Sequence, residues 1–258
     1  LEYIKESAKN GTLEEVMNFQ DLNQAGYDMS NFDFSEYKDK IKNANREIRE
    51  IMQMYIDTHN TNSILFLDHN LGGGATSYIE KKKRECFREG MCTTTVRYDL
   101  NQGGYRLTFE NGTTQQIYQV KEFEDLLIIG RWMHWDEIWI NQLVTYPEIW
   151  DTLELIVEIK NQQRAKIVML MHDYFSICPS VNLMTEDFHY CELPGAEACQ
   201  ECYNKREFFG IYPCFSQPDW IAHWKAFFAE CAEIRSFSQD TLNRVEQCFG
   251  TDLPLTLV

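Results

Sequence analysis

The sequence predicts an α/β fold: a Rossmann-like, three-layer domain with a mostly parallel sheet, behind a helical extension at the amino terminus. Three observations carry this. Short apolar runs recur at residues 63–67, 92–98, 137–143, 166–171 and 233–236, and parallel strands read as continuous apolar segments because helices cover both faces of their sheet. Stretches of helical length and spacing separate these runs. Glycines punctuate the passage from strand to helix, above all Gly72-Gly73-Gly74 after the first run.

Residues 1–61 read as a helical lead-in. Segments 13–19 and 37–55 carry apolar or aromatic residues at helical spacing, the second at Tyr37, Ile41, Ile48, Ile51, Met52 and Tyr55, with a turn-rich link over 28–33. Residues 62–258 form the second unit. After the strand at 63–67 and the glycine turn, a helix is expected over 75–89, closed by Gly90. The β-branched strand at 92–98 leads to strands at 105–109 and 115–120, which flank Asn111-Gly112, the strongest short-range hairpin signal. A short helix over 123–130 precedes the strand at 137–143. Pro147 suits the first turn of a helix running to residue 161. The strand at 166–171 is followed by a cysteine-bearing loop, then a helix from Pro218 to Cys231, a strand at 233–236 and a helix over 239–249 ended by Gly250. Residues 253–258 have the composition of one more strand.

The chain has 258 residues, 44% of them hydrophobic, enough for a sizeable core. Against 40 acidic residues stand 24 basic ones, a net charge of -16 that repels phosphate backbones and anionic headgroups. No nucleic-acid partner is expected. No apolar stretch approaches the roughly 20 residues that cross a bilayer, and no signal segment opens the chain. A cytoplasmic protein without a transmembrane segment is therefore expected. Nine cysteines are an odd number, several within apparent helices or strands, which favours reduced thiols over a disulfide framework.

Three groups of residues could carry chemistry. The turn Asp68-His69-Asn70-Leu71-Gly72-Gly73-Gly74 opens a helix, where glycines admit a ligand to the backbone and free N–H groups favour an anion; a tight turn without a ligand is the alternative. As a dinucleotide fingerprint it reads Gly72-x-Gly74-x-x-Ser77, which lacks the third small Gly or Ala. His172 and Asp173 close the strand at 166–171, at the carboxyl edge where open α/β sheets bind ligands. Cys199 and Cys202 have knuckle spacing, and Cys178 and Cys191 complete four soft ligands for a structural zinc, with His189 and Cys214 as spares; buried thiols are the competing reading. Ser238 reads as a helix cap whatever the function. The six tryptophans read as core before they read as sugar platforms.

The run His172-Asp173-Tyr174-Phe175-Ser176-Ile177-Cys178-Pro179-Ser180-x-Asn182-Leu183-Met184, with the spaced cysteines after it, resembles the end of the fourth strand in the first half of bacterial GT-B glycosyltransferases, especially the family 4 retaining enzymes of surface-polysaccharide assembly. The Gly72–74 turn is similar to that family's glycine loop after the first strand. Residues 138–143 resemble its Ile-His-Val-Asn-His-Leu segment, although Trp139 and Gln142 stand where the family has histidines, so only Asn141 carries over. The resemblance spans residues 62–258 and implies the acceptor-side lobe, cut before the donor-binding lobe. It implies a nucleotide-sugar donor, a glycan or lipid-linked acceptor, and no catalytic metal. Catalytic roles fall to His172 and Asp173, and substrate contacts to His69, Gly72, Gly73, Gly74, Asn141, Asn182 and Ser238. The second lobe of the same enzyme is the implied partner, this part alone is expected to be inactive, and the whole protein could lie peripherally at the inner membrane. A nicotinamide-dependent Rossmann oxidoreductase and a non-catalytic, metal-stabilised interaction domain are the other two readings.

Overall fold

The structure is a computed structural model and describes residues 38–185, 187–205 and 216–258. The helical segment expected over 13–19, the link over 28–33 and Cys214 lie outside these residues. The elements in chain order are α1 (Lys38–Asn60), β1 (Ser63–Asp68), α2 (Gly73–Arg88), β2 (Cys92–Tyr98), β3 (Tyr105–Glu110), β4 (Gln115–Val120), α3 (Asp125–Ile129) and β5 (Glu137–Ile140). They continue with α4 (Ile149–Gln163), β6 (Lys166–Met171), α5 (Ala196–Lys205), α6 (Gln217–Phe228), β7 (Glu233–Ser236), α7 (Gln239–Phe249) and β8 (Leu255–Leu257).

All eight strands join one sheet in the order β4-β3-β2-β1-β5-β6-β7-β8. Neighbours from β2 through β8 run parallel, while β2–β3 and β3–β4 are antiparallel. The five apolar runs of the sequence are therefore the parallel centre of one sheet. The Asn-Gly signal makes the β3–β4 turn: Asn111 Oδ1 accepts from the N–H groups of Thr113 at 3.0 Å and Thr114 at 2.8 Å, and Gly112 takes the positive φ the turn requires.

Strand residues alternate between two cores, as a side-chain period of two requires. Leu65, Leu67, Ile138, Ile140, Ile167, Met169 and Met171 face the larger core with α4, α6 and α7. Ile64, Phe66, Trp139, Val168 and Leu170 face the smaller one with Ile79 and Cys86 of α2. This gives three layers. Helix α1 docks through Met54, through Thr58, whose Oγ1 accepts from the His134 N–H at 3.2 Å, and through Asp57, which accepts from Asn111 Nδ2 at 2.9 Å. Trp135, Trp220 and Trp224 are fully buried, and two of them place their indole N–H on Thr94 Oγ1 at 3.0 Å and the Phe175 carbonyl at 3.1 Å. These rings are core.

Besides shifts of a few residues at other element ends, three differences from the sequence expectation bear on the site. The strand expected over 137–143 ends at Ile140, because the N–H groups of Asn141 and Gln142 both turn onto the Leu67 carbonyl, at 2.8 and 3.2 Å. Pro147 lies outside α4, whose first residue is Ile149 after Glu148 in a left-handed conformation. The stretch expected as loop contains α5, on which Cys199, Cys202 and the buried Tyr203 recur at helical spacing. No helix among the described residues is long and apolar enough to cross a membrane.

Leu65 is fully buried on the central strand, whereas Ile117 is 44% exposed on the edge strand β4. Leu65→Ala should lower the unfolding free energy by about 2–5 kcal/mol and Ile117→Ala by under about 0.5 kcal/mol, read by urea denaturation. Equal losses would contradict this layering.

Candidate functional site

Parallel strands β1, β5, β6 and β7 bring their carboxyl ends to one edge of the sheet. From β1 the chain moves outward to β2, and β5 lies on the other side of β1. The loops after β1 and β5 thus diverge, and such a switch point opens a crevice. The sequence supplies polar residues there: Asp68, His69, Asn141, Gln142, His172 and Asp173 each follow or end an apolar run.

A hydrogen-bonded chain crosses this edge. Arg97, at the end of β2, holds Asp68 through Nε at 2.9 Å and a terminal guanidinium nitrogen at 2.8 Å. Asp68 is fully buried, and its other oxygen accepts from Asn141 Nδ2 at 2.7 Å. The same amide nitrogen also reaches the Ala75 carbonyl at 3.1 Å, and Asn141 Oδ1 lies 2.7 Å from His172 Nε2. The glycine turn, β5 and β6 meet in this chain.

The His172 ring lies flat against Phe237, 4.5 Å between centroids and 9° between planes, and meets Tyr78 of α2 edge-on at 5.5 Å. Burial lowers its pKa to about 4, with Asp68 pulling the other way and His69 adding to the fall. His172 is neutral at pH 7. Both carboxylate oxygens of Asp173, expected to share catalysis with His172, have hydrogen-bond partners. One of its oxygens accepts from the Phe175 N–H at 2.9 Å and the other from the Gln142 amide, whose own carbonyl accepts from the N–H groups of Leu143 at 2.8 Å and Val144 at 3.1 Å. Asp173 clasps the loops after β5 and β6, and burial raises its pKa to about 6.

The remaining sequence-predicted residues divide. Gly72 and Gly73 have positive φ, a methyl group at Gly72, Gly73 or Gly74 would meet nothing within 4 Å, and no side chain caps α2. The turn is therefore open, with backbone that only glycine adopts freely. His69 is buried, its Nδ1 accepting from the Leu71 N–H at 3.2 Å. Asn182 is exposed, its Oδ1 facing the Met184 N–H at 3.3 Å, and it makes no hydrogen bond to the His172 group. Ser238 caps α7, accepting from the Thr241 N–H at 3.1 Å. Trp139 packs edge-on against Phe66 under the Arg235 guanidinium, 4.5 Å from the ring. Sequence reasoning placed Asp68 in the glycine turn without giving it a role, and it assigned nothing to Arg97, Tyr78 or Phe237, whose partners lie far away in the chain.

Cys178, Cys191, Cys199 and Cys202 are partly exposed free thiols in one neighbourhood, each within electrostatic range of another. Burial pushes Cys178 and Cys199 up, and for Cys199 the nearby Cys191 and Cys178 add to it. Cys178 Sγ lies 3.2 Å from Ser180 Oγ. Among the described residues no group of three or more His, Cys, Asp or Glu side chains is placed to hold a metal ion. Val181, Leu183, Phe188, Glu192 and Leu193 in this loop all have left-handed backbone.

A separate groove of about 410 Å³ lies between α4 and α6, where Trp150 stacks on His223 at 4.2 Å. None of the sequence-predicted site residues lines it. Comparison with protein-family models and with curated proteins finds no match to this chain.

The clasp makes a pH prediction. Because the folded pKa of Asp173 is raised from 3.8 to about 6, the folded state binds the extra proton between those values. Its contribution to stability is fully present below pH 3.8 and is lost as pH rises through about 6. The urea midpoint of the native chain, compared with Asp173→Asn from pH 4 to pH 7, should carry this falling component, and the variant should lack it. Parallel profiles would contradict the assignment.

Proposed function

We propose that this chain is the amino-terminal, acceptor-side lobe of a retaining glycosyltransferase. In this reading a sugar passes from a nucleotide-sugar donor to a glycan or lipid-linked acceptor of surface-polysaccharide synthesis. The observation that carries the proposal is His172, neutral at the end of β6 and tied through Asn141 to the turn that opens α2. It joins the two motifs on which the resemblance rests, the His172–Met184 segment and the glycine turn.

The arrangement suits sugar transfer in three respects. An uncapped helix start behind open glycines offers N–H groups to the phosphates of a donor. A neutral, immobile imidazole positions and polarises a hydroxyl at little reorganisation cost. In retaining transfer the departing phosphate is thought to help deprotonate the acceptor, so His172 need not be an obligate base. Asp173 supports this by holding the two loops together. The donor would be held mostly by a second lobe, so this chain alone should transfer no sugar. Ser77 at the last fingerprint position weighs against a nicotinamide cofactor.

The test combines the coding sequence downstream of Val258 with turnover of the protein it encodes. A second Rossmann-like lobe with a Glu-x(7)-Glu pattern is expected. In that protein His172→Ala should reduce transfer by about 100-fold or more while leaving the circular dichroism unchanged. Undiminished transfer would remove His172 from the site, and a frame without a second lobe would remove the transferase reading.

A further inference from the structure

The hydrogen bonds around Asn141 have one consistent direction. Its Nδ2 faces Asp68 Oδ1 at 2.7 Å and the Ala75 carbonyl at 3.1 Å, both of which can only accept. The amide is therefore oriented, and its Oδ1 is what faces His172 Nε2. A carbonyl oxygen only accepts. The imidazole must donate from Nε2, which leaves the lone pair on Nδ1. Among the described residues no side chain or backbone group makes a hydrogen bond to that nitrogen.

We infer that Asp68, paired with Arg97, is a positioning residue that acts through Asn141 to fix His172 as the Nε2–H tautomer, so that Nδ1 accepts a hydrogen bond from a neutral hydroxyl of the ligand. The direction starts at the ion pair. Asp68 presents acceptors both ways, to the Arg97 guanidinium and to the Asn141 amide. Phe237 and Tyr78 pack on the ring and hold its plane, but apolar contact cannot choose which nitrogen carries the proton. The hydrogen-bond chain makes that choice. An Nδ1 acceptor favours a hydroxyl donor over an anion, which would meet a lone pair. The use of that lone pair rests on the transferase reading; the tautomer itself does not.

The isosteric change Asp68→Asn separates this from a structural role. One oxygen of residue 68 becomes an NH2 group. The Arg97 guanidinium retains the remaining oxygen, since facing an NH2 would oppose two donors. The new NH2 then faces the Asn141 NH2, and the amide no longer has one satisfied orientation: unflipped it opposes two NH2 groups, and flipped it sets its oxygen against the Ala75 carbonyl. His172 then meets the Asn141 oxygen in one orientation and its NH2 in the other, and both tautomers are populated.

The experiment is nitrogen-15 NMR of the imidazoles in the histidine-labelled chain, with the His172 signals assigned by their loss in His172→Gln. The expected result is a single Nε2–H tautomer in the native chain and loss of that single tautomer, with Nδ1–H populated beside it, in Asp68→Asn. Should Asp68→Asn fail to fold, Asn141→Ala is expected to give both tautomers in comparable amounts. A native ring that is Nδ1–H, or one that exchanges between tautomers, overturns the inference, as does a variant with the native pattern. A fixed Nε2–H ring in a protein that transfers no sugar would instead sink only the transferase reading.

Discussion

The ion pair of Asp68 with Arg97 is the interaction on which the carboxyl edge of the sheet depends. A carboxylate with no exposed surface at the end of the central strand would cost several kcal/mol if unpaired. Its two oxygens reach both neighbours of β1: one takes the guanidinium from β2, and the other takes the amide that follows β5. The strands on either side of the switch point are thereby held at a fixed separation where their loops part. Removal of Arg97 would leave a buried charge at the point where the edge must stay open.

The packing below makes that edge rigid. Alternate residues of β1, β5 and β6 fill two cores, so none of these strands can slip by one residue without moving apolar side chains to the wrong layer. On this base the polar groups are fixed by one another. Asn141 is bound on three sides, Asp173 ties two loops together, and His172 is stacked on Phe237. Such a site is already arranged before a ligand arrives, which is the condition for electrostatic positioning without reorganisation.

The strands were legible because burial on both faces writes a local signature, and the β3–β4 turn because Asn111-Gly112 demands it. The edge position of His172 and of the glycine turn followed from strand direction alone. What escaped the sequence depends on partners distant in the chain. Arg97 lies 29 residues from Asp68, and Phe237 meets His172 only once β7 has paired with β6. Asp173 illustrates the limit: its place after the strand was legible, while the partners of its two oxygens, Phe175 and Gln142, were not. The early end of β5 has the same origin, since the turning of Asn141 and Gln142 onto Leu67 follows from strand pairing and not from composition.

The central claim is that a ligand site lies at this edge, between the uncapped start of α2 and His172. Amide chemical-shift mapping of the chain with inorganic pyrophosphate tests it most directly, because a nucleoside-diphosphate-sugar donor of the proposed reaction would present a diphosphate there. The account predicts saturable shifts at Gly72, Gly73, Gly74 and Ala75 that extend to His172. Shifts confined to the groove between α4 and α6, or none at the glycine turn at millimolar pyrophosphate, would contradict it.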